Sequence, residues 1–598
     1  MKLRVLALDI DGTIAVDTRF DDDLAAAIRD VRRAGVMAVL VSGRRLAEIQ
    51  ALLPVSDLFD AIVAESGAVV QMANSASPIV LARGPDAAFG AELDRRNVAH
   101  RSGLCMVEAD TVAAPDILAS LLALGSPRGI TFDRGRFTVL PHGVSKASGL
   151  SEAAWRLDVS LHNAVAIGAG EDDQSMLDMC ELGVAVAWGS IVLARSADHV
   201  VQGTGPAALA DYIRTLVATE TILPRRKPDS PLRLRLGTFG TGEPVDIPIR
   251  GRNVLFTGDP GSGKTWLVGL VCEHLILRRY ALCIVDPEGD YSCLAALPGV
   301  IVHRVQRPED SLPRPERILR QPTLSVVVDL SLLAVEAKRA AARALLPEIE
   351  ALRRALGAPH RVVLDEAHQF LHRHEVAGFF DPKLGGYYLV TYRSSDLPLG
   401  VLDACDVIVA TRITDRRLAA RLLGLASPGE PSSEWIETLA GLAIGEAVLL
   451  RASPEEARGP TQFTLEQRVT KHVRHRKKYI DVGVPPGREF VFTRDGRPTE
   501  HRVRSLSELL AVLQLVPADV FASHLTRGDF HRWIEDVVGD RDLGEAIRDI
   551  ERGKGTNARE TIGRAIRDRY VDVASEPCDR GRGSAVGSAA VMREGTEQ

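Results

Sequence analysis

Two stretches of this sequence carry residue types whose spacing suits phosphate chemistry. The first is Asp9-Ile10-Asp11-Gly12-Thr13, at the end of the apolar run Leu3-Arg4-Val5-Leu6-Ala7-Leu8. Side chains alternate along a strand, so carboxylates at i and i+2 point the same way. Such a pair suits a nucleophile beside an acid/base, sharing one Mg²⁺. The second stretch, Val254 to Thr265, reads VLFTGDPGSGKT, with a helical pattern from Trp266. In that strand–loop–helix setting, Gly258, Asp259, Pro260, Gly261, Ser262 and Gly263 let backbone N–H groups turn inward around a triphosphate. The helix N-terminus adds positive potential. Lys264 would reach the β/γ-phosphates and the Thr265 hydroxyl would ligate Mg²⁺. The ligand expected there is ATP.

A third group belongs with the second. The apolar run Arg361-Val362-Val363-Leu364 ends at Asp365-Glu366-Ala367-His368. Asp365 can hold Mg²⁺ through water, and Glu366 can polarise the attacking water. Alone, the pair reads equally as an ordinary helix N-terminus. About 100 residues after a Gly-Lys-Thr loop, it reads as the second half of a nucleoside-triphosphate site.

The elements that must position these residues alternate. After the first acidic pair come a helix (Leu24 to Ala34), a strand (Met37 to Val41) ending Ser42-Gly43-Arg44, and Ile62-Val63-Ala64-Glu65-Ser66-Gly67-Ala68. Ser145-Lys146 follows much later, then a strand from Ala164 to Ile167 and Gly168-Ala169-Gly170-Glu171-Asp172-Asp173. The alternation predicts a parallel α/β sheet with its polar motifs at strand C-termini.

These four motifs, in this order, resemble the haloacid dehalogenase (HAD) phosphatase superfamily, and within it the Cof-type (IIB) subgroup of sugar-phosphate and phosphoglycolate phosphatases. The resemblance covers residues 1–218 and implies a Rossmann-like domain with a small α/β cap near 75–142. It implies Asp9 as the nucleophile that forms an aspartyl-phosphate and Asp11 as the acid/base. It gives Ser42 the phosphoryl oxygens and Lys146 the developing charge, with Asp9, Asp11, Asp172 and Asp173 around Mg²⁺. The family's fourth motif has Asp directly after its first Gly, where this chain has Ala169. Either Asp172 takes over that ligand role or the metal binds more weakly. The substrate implied is a small phosphorylated molecule.

Residues 219–231, TETILPRRKPDSP, are polar and proline-rich and read as a linker. A P-loop domain of RecA-like fold is expected from 232 to 456. Asp286-Pro287-Glu288-Gly289-Asp290-Tyr291, the Asp365–His368 segment, and Thr391-Tyr392-Arg393-Ser394-Ser395-Asp396-Leu397-Pro398 followed by Val407 to Arg412 look like the HerA/FtsK/VirB4-type motor ATPases. That family has Gln where this chain has Tyr392, as a γ-phosphate sensor. The resemblance implies a homo-hexameric ring with an arginine acting in trans, from Arg412, Arg416 or Arg417. Its pore would carry DNA or another polymer, although no sequence feature shows a nucleic-acid partner.

At 598 residues the chain is too long for one core. A net charge of −6 argues against a uniformly basic nucleic-acid binder. Seven cysteines stand singly with no CxxC pair, so buried thiols are expected rather than disulfides or zinc. No apolar run reaches about 18 residues, and the expected location is cytoplasmic, without a membrane partner. Residues 457–572 are expected to form a small mixed or α-helical accessory domain, and 573–598 a disordered tail. Lys471 to Tyr479 is the densest basic run. Phe490-Val491-Phe492 with Asp495-Gly496 reads as a hairpin, followed by amphipathic helices. Ser523-His524-Leu525, Gly528-Asp529-Phe530 and Trp533-Ile534 resemble a small uncharacterised domain found beside such ATPases and phosphatases. His524 and His531 lack ligand spacing with any nearby acid or Cys and read as core or surface histidines. Two further readings stay open: a motor or switch whose first half only senses a phosphorylated ligand, and a scaffold whose assembly nucleotide controls.

Overall fold

The computed structural model describes residues 1–16, 19–52, 58–133, 136–219, 222, 233–249, 252–307, 318–371, 380–426, 432–451, 459–470, 480, 484, 487–538, 540–553 and 557–570. Most of the linker expected at 219–231, the basic run 471–479 and the tail from 573 lie outside them. The chain divides into two compact units, Met1–His472 and Val473–Gln598.

The first unit holds two large sheets. One, among the described residues, is eight-stranded and ordered His199–Val201, Leu182–Val186, Ala164–Gly168, Val5–Asp9, Met37–Val41, Ala61–Ala64, Val69–Met72, Ile79–Val80. Its first six strands run parallel and its last two antiparallel. The central Val5–Asp9 strand is buried along its whole length, which explains its unbroken apolar reading. A separate four-stranded antiparallel sheet, Arg128–Asp133, Arg136–Pro141, Val107–Asp110, His100–Ser102, carries the helices Ala87–Arg95 and Ala114–Ala123. It has its own core around Phe89, Leu93, Ile117 and Phe137 and falls within the stretch 75–142 read above as a cap.

The second large sheet has eleven described strands. Its parallel centre runs Val407–Ala410, Val254–Thr257, Tyr387–Thr391, Arg361–Leu364, Leu282–Asp286, Ser325–Asp329, Val300–Arg304. Antiparallel strands extend it, and one of them is Thr461–Leu465. The sheet therefore continues past the boundary expected at 456. Pairing with Glu446–Arg451 draws this segment in, and the first unit ends only at His472.

The second unit is mixed. A hairpin, Phe490–Arg494 with Arg497–Val503, packs with helices Leu506–Leu513, Ala518–Arg527, Arg541–Gly553 and Ala558–Tyr570 around Phe492, Phe530 and Ile547. His524 is a core histidine, in line with the sequence reading, and both histidines have acidic partners that the sequence did not single out. His524 Nδ1 lies 2.7 Å from Asp529 Oδ2, and its Nε2 accepts the Thr493 N–H at 2.9 Å. His531 pairs with Glu551, 20 residues on. Folding supplies that pairing across helices, which linear spacing cannot display.

The described cysteines are free and buried, as expected. Among the described residues no helix is long and apolar enough to cross a membrane.

Candidate functional site

Asp9 ends its strand buried, and Thr13 Oγ1 donates to its Oδ2 at 3.3 Å. Lys146 Nζ lies 3.0 Å from Asp9 Oδ1, 2.6 Å from Asp173 Oδ1 and 2.6 Å from Asp172 Oδ2. Three carboxylates thus face one ammonium. Burial, reinforced by Asp173, pushes the Asp9 carboxyl well above the usual carboxylate range. Burial works the other way on Lys146, but Asp173, Asp9 and Asp172 outweigh it and hold its pKa well above the ordinary lysine value.

The backbone explains how Lys146 gets there. It begins the helix Lys146–Arg156, which Ser145 and Ser148 cap reciprocally. That helix end sits against the Glu65-Ser66-Gly67 turn, where all three residues have positive φ. A Cβ on Gly67 would stand 1.9 Å from the Ser145 carbonyl oxygen, so only glycine permits the approach. Glu65, quoted in the sequence only as part of a motif, has a role that the motif did not suggest. Its carboxylate accepts N–H bonds from Leu104, Cys105 and Met106, tying the cap to this turn.

Asp11 is turned toward Arg44, whose Nε and Nη2 approach it at 2.9 and 2.6 Å. This bidentate grip takes up the carboxylate expected to share the metal. Ser42 is buried and accepts the Arg44 N–H at 3.1 Å. Asp173 Oδ2 accepts the N–H groups of Ala169 and Gly170 at 2.8 and 2.9 Å, and Ala169 itself is a buried methyl.

A cavity of about 30 Å³ opens onto Asp9, Asp11, Arg44, Lys146 and Asp172. The cap closes it with Glu108, Thr131, Arg136 and Thr138, and Arg136 pairs with Glu108 at 3.2 Å. No sequence motif marked these cap residues. Ser42 and Asp173 stand behind the wall, one hydrogen bond away. Among the described residues no three acidic, His or Cys side chains converge as a ready cation cage. The surplus negative charge of Asp9, Asp172 and Asp173 over Lys146 nonetheless fits a divalent cation, Asp9 and Asp172 being the two of these three that line the cavity.

In the second sheet, the Val254–Thr257 strand is buried and the helix Lys264–Leu277 begins at Lys264, after Gly263 at φ 101°. A Cβ on Gly258 would fall 2.1 Å from Thr411 Oγ1. Lys264 Nζ folds back to donate to the Gly258 and Asp259 carbonyls, both at 2.8 Å. Asp259 clamps the neighbouring loop, its Oδ2 accepting from Thr414 N and Oγ1 and its N–H donating to the Arg412 carbonyl. Arg416, which begins the helix Arg416–Ala426, pairs with Glu437. Thr265 Oγ1 is 3.4 Å from Asp290 Oδ2. Asp286 accepts N–H bonds from Glu288, Gly289, Asp290 and Tyr291, yet burial and the Asp290 charge push its pKa up to about 7.

Asp365 is buried just past its strand, and Glu366 sits at φ 47°, ψ 46°, a costly backbone for a non-glycine residue. Glu366 Oε2 is 3.5 Å from His368 Nδ1. The His368 ring meets Tyr392 edge-on at 5.1 Å, and Lys264 Nζ stands 6.0 Å from the Tyr392 ring centre. Tyr392 therefore neighbours both Lys264 and His368.

Comparison with known proteins matches residues 6–81 and 115–213 to the haloacid dehalogenase-like hydrolase family. The phosphoglycolate phosphatase of Methanococcoides burtonii is 25% identical over 219 residues, which is 35% of this chain and 95% of that protein. The phosphoglycolate phosphatase of Aeropyrum pernix is 25% identical over 228 residues, covering 36% and 94%. Among solved structures, a haloacid dehalogenase-like hydrolase from Bacteroides thetaiotaomicron aligns at 16% identity and TM-score 0.30, covering 36% of this chain and all of that one.

Proposed function

We propose, on the premise that the N-terminal third is a HAD-type phosphatase domain, that this third hydrolyses a small phosphomonoester through an aspartyl-phosphate. The observation that carries the reading is Asp9, buried at the end of its strand, 3.0 Å from Lys146 Nζ, on the wall of a cavity that also holds Asp11. Asp9 Oδ attacks phosphorus, the P–O bond to the leaving group breaks, and Asp11 donates the proton that the leaving oxygen takes up. Asp11 then accepts a proton from the water that releases Asp9. Lys146 offsets the charge that builds on the phosphoryl oxygens, and Ser42 orients them. Mg²⁺ held by Asp9 and Asp172 would supply further charge neutralisation.

The cap narrows the substrate. The small cavity, with Arg136, Glu108 and two threonines on the cap side, favours a short polar leaving group, and phosphoglycolate, named for both relatives, is the first candidate. The test is phosphate release by the full chain from phosphoglycolate, sugar phosphates and nucleotides, with and without Mg²⁺. Turnover that vanishes in Asp9→Asn supports the proposal. Silence across the panel in a folded chain overturns it in favour of a ligand-sensing module, the reading that Ala169 and the Arg44 grip on Asp11 favour.

For the second sheet we propose ATP binding and hydrolysis, with Gly258–Thr265 around the phosphates, Asp365 and Thr265 at Mg²⁺, and Glu366 activating water. The support is Lys264 at the helix start, two strands from the strained Glu366. Lys264→Ala should lose nucleotide binding, while Glu366→Gln should bind ATP and fail to hydrolyse it. Binding lost in neither variant overturns the proposal. Assembly into a homo-hexameric ring is part of the same proposal, and the mass of the full chain with and without ATP tests it.

A further inference from the structure

The two large sheets of the first unit meet at the N-terminal ends of their strands. Asn163 precedes the Ala164–Gly168 strand, and its Oδ1 is 3.1 Å from Nε2 of His360, which precedes Arg361–Leu364. The His162 ring stacks on Tyr280 with centroids 3.5 Å apart, and the Tyr280 hydroxyl donates to Glu181 at 2.8 Å. Both candidate catalytic sites lie at the opposite, C-terminal strand ends.

Between these contacts lies a cavity of about 110 Å³, room for several waters or one small oxyanion. Its charge is one-sided. Arg353 and Arg361 are buried in its wall, Lys2 lines it with Arg354, which is already paired with Glu350 and Asp381, and Glu181 is the lone carboxylate among the lining residues. Glu181 reaches Arg361 only at 3.9 Å.

The guanidinium hydrogens make the imbalance specific. Arg353 spends Nε and Nη2 on the Pro359 and Gly385 carbonyls. Arg361 spends Nη1 and Nη2 on the His360 and Ile249 carbonyls. Arg353 Nη1 and Arg361 Nε are buried without a well-aligned acceptor, the Tyr387 and Tyr388 hydroxyls being the oxygens that act on the two guanidinium groups. The Tyr387 and Tyr280 rings, 4.6 and 4.9 Å from the two guanidinium carbons, steady the charges through their faces. A ring face is no substitute for an oxygen acceptor in the guanidinium plane, and buried donors and cations left so are costly. Burial keeps His360 neutral, and the nearby His162 and Arg361 reinforce this, as a positive surrounding should.

We propose that this cavity binds a small oxyanion of the phosphate class, held by the positive charge of Arg353, Arg361 and Lys2 in its wall. Its walls come from both sheets, so the bound anion bridges the two halves of the first unit.

The test titrates inorganic phosphate, then sulfate, into the full chain by calorimetry, comparing it with Glu181→Gln and Lys2→Met. Glutamine at 181 still accepts from Tyr280, so that variant removes charge and keeps the hydrogen bond. Removing the lone carboxylate should tighten anion binding about fivefold, and removing a wall cation should weaken it about threefold. Neither residue lies in the candidate catalytic sites, so opposite shifts in the two variants assign the anion to this cavity. Unchanged titrations in both, or shifts of the same sign, overturn the proposal. Crystals of the full chain soaked in selenate give a second readout: an anomalous peak between Arg353 and Arg361 is expected, and water alone there overturns it.

Discussion

His360 and Asn163, 197 residues apart, share a buried hydrogen bond of 3.1 Å. The Ala281 N–H occupies His360 Nδ1 at 2.8 Å, so Nε2 is the donor and the ring is neutral. The Asn163 amide spends its own hydrogens on the Lys2 and Gly357 carbonyls. One imidazole and one amide, each satisfied, thereby fix the seam between two sheets whose candidate sites lie at their far ends.

This seam should respond to pH. Burial holds the His360 pKa well below its ordinary 6.5. An unfolded chain therefore binds a proton that the folded chain refuses, and stability is full above 6.5 and falls as the pH drops below it. Denaturant unfolding between pH 5 and 7.5 measures the slope. His360→Gln should flatten it and cost about 1–3 kcal/mol at neutral pH through the Ala281 N–H it leaves unpaired. An unchanged slope would mean that another group carries it.

At the first site, Asp9→Asn should lower Mg²⁺-dependent phosphate release by at least about a thousandfold, because the attacking oxygen is lost. Asp11→Asn should cost about 10²–10⁴-fold and remove the pH limb of the leaving-group acid. Steady-state kinetics on the full chain check both. Equal retention of activity in the two variants would place the chemistry elsewhere.

Much of this site was legible in the chain. The buried strand ending at Asp9 and the acids at 172–173 announce themselves because burial and strand ends impose local patterns, whereas Lys146 was picked out by the resemblance and its helix start by the fold. The partner of Asp11 was not legible: Arg44 stands within a quoted motif, but only folding shows its guanidinium gripping a carboxylate 33 residues away. The cap wall was invisible for a different reason. Glu108, Thr131, Arg136 and Thr138 come from three antiparallel strands with no fixed spacing. The Asn163–His360 seam, likewise, joins residues that have no motif at all.

Tyr392 offers a test in the second sheet. Its ring neighbours both Lys264 and His368, at the strand end where the resembled family places an amide. A phenol positions a water less well than an amide with both donor and acceptor. Tyr392→Gln should raise ATP turnover about tenfold or more while leaving nucleotide affinity within about twofold. Turnover that stays flat would show that water is oriented by other groups, His368 first among them.

The last prediction concerns the segment that the sequence assigned past the sheet. Arg468 and Glu273 are fully buried and lie 2.8 Å apart, and Glu273 also accepts from the N–H groups of Val469 and Thr470. Burial alone would raise the Glu273 pKa, but the Thr470 and Arg468 donors outweigh it and hold the carboxyl below its ordinary 4.5. A depressed carboxylate stabilises the fold above 4.5, and that contribution is lost as the pH falls below it. Arg468→Met keeps the bulk and strands a buried charge, so it should cost about 3–5 kcal/mol at pH 7. The double variant Arg468→Met/Glu273→Gln should recover part of that loss, since a neutral amide needs no counterion. It should also unfold with less pH dependence between 3 and 5. Thermal unfolding of the full chain at pH 7 and pH 4 measures both effects. A single variant as stable as the parent would mean that residues 466–470 are held to the helix by their backbone contacts, and that the ion pair is incidental to closing the sheet.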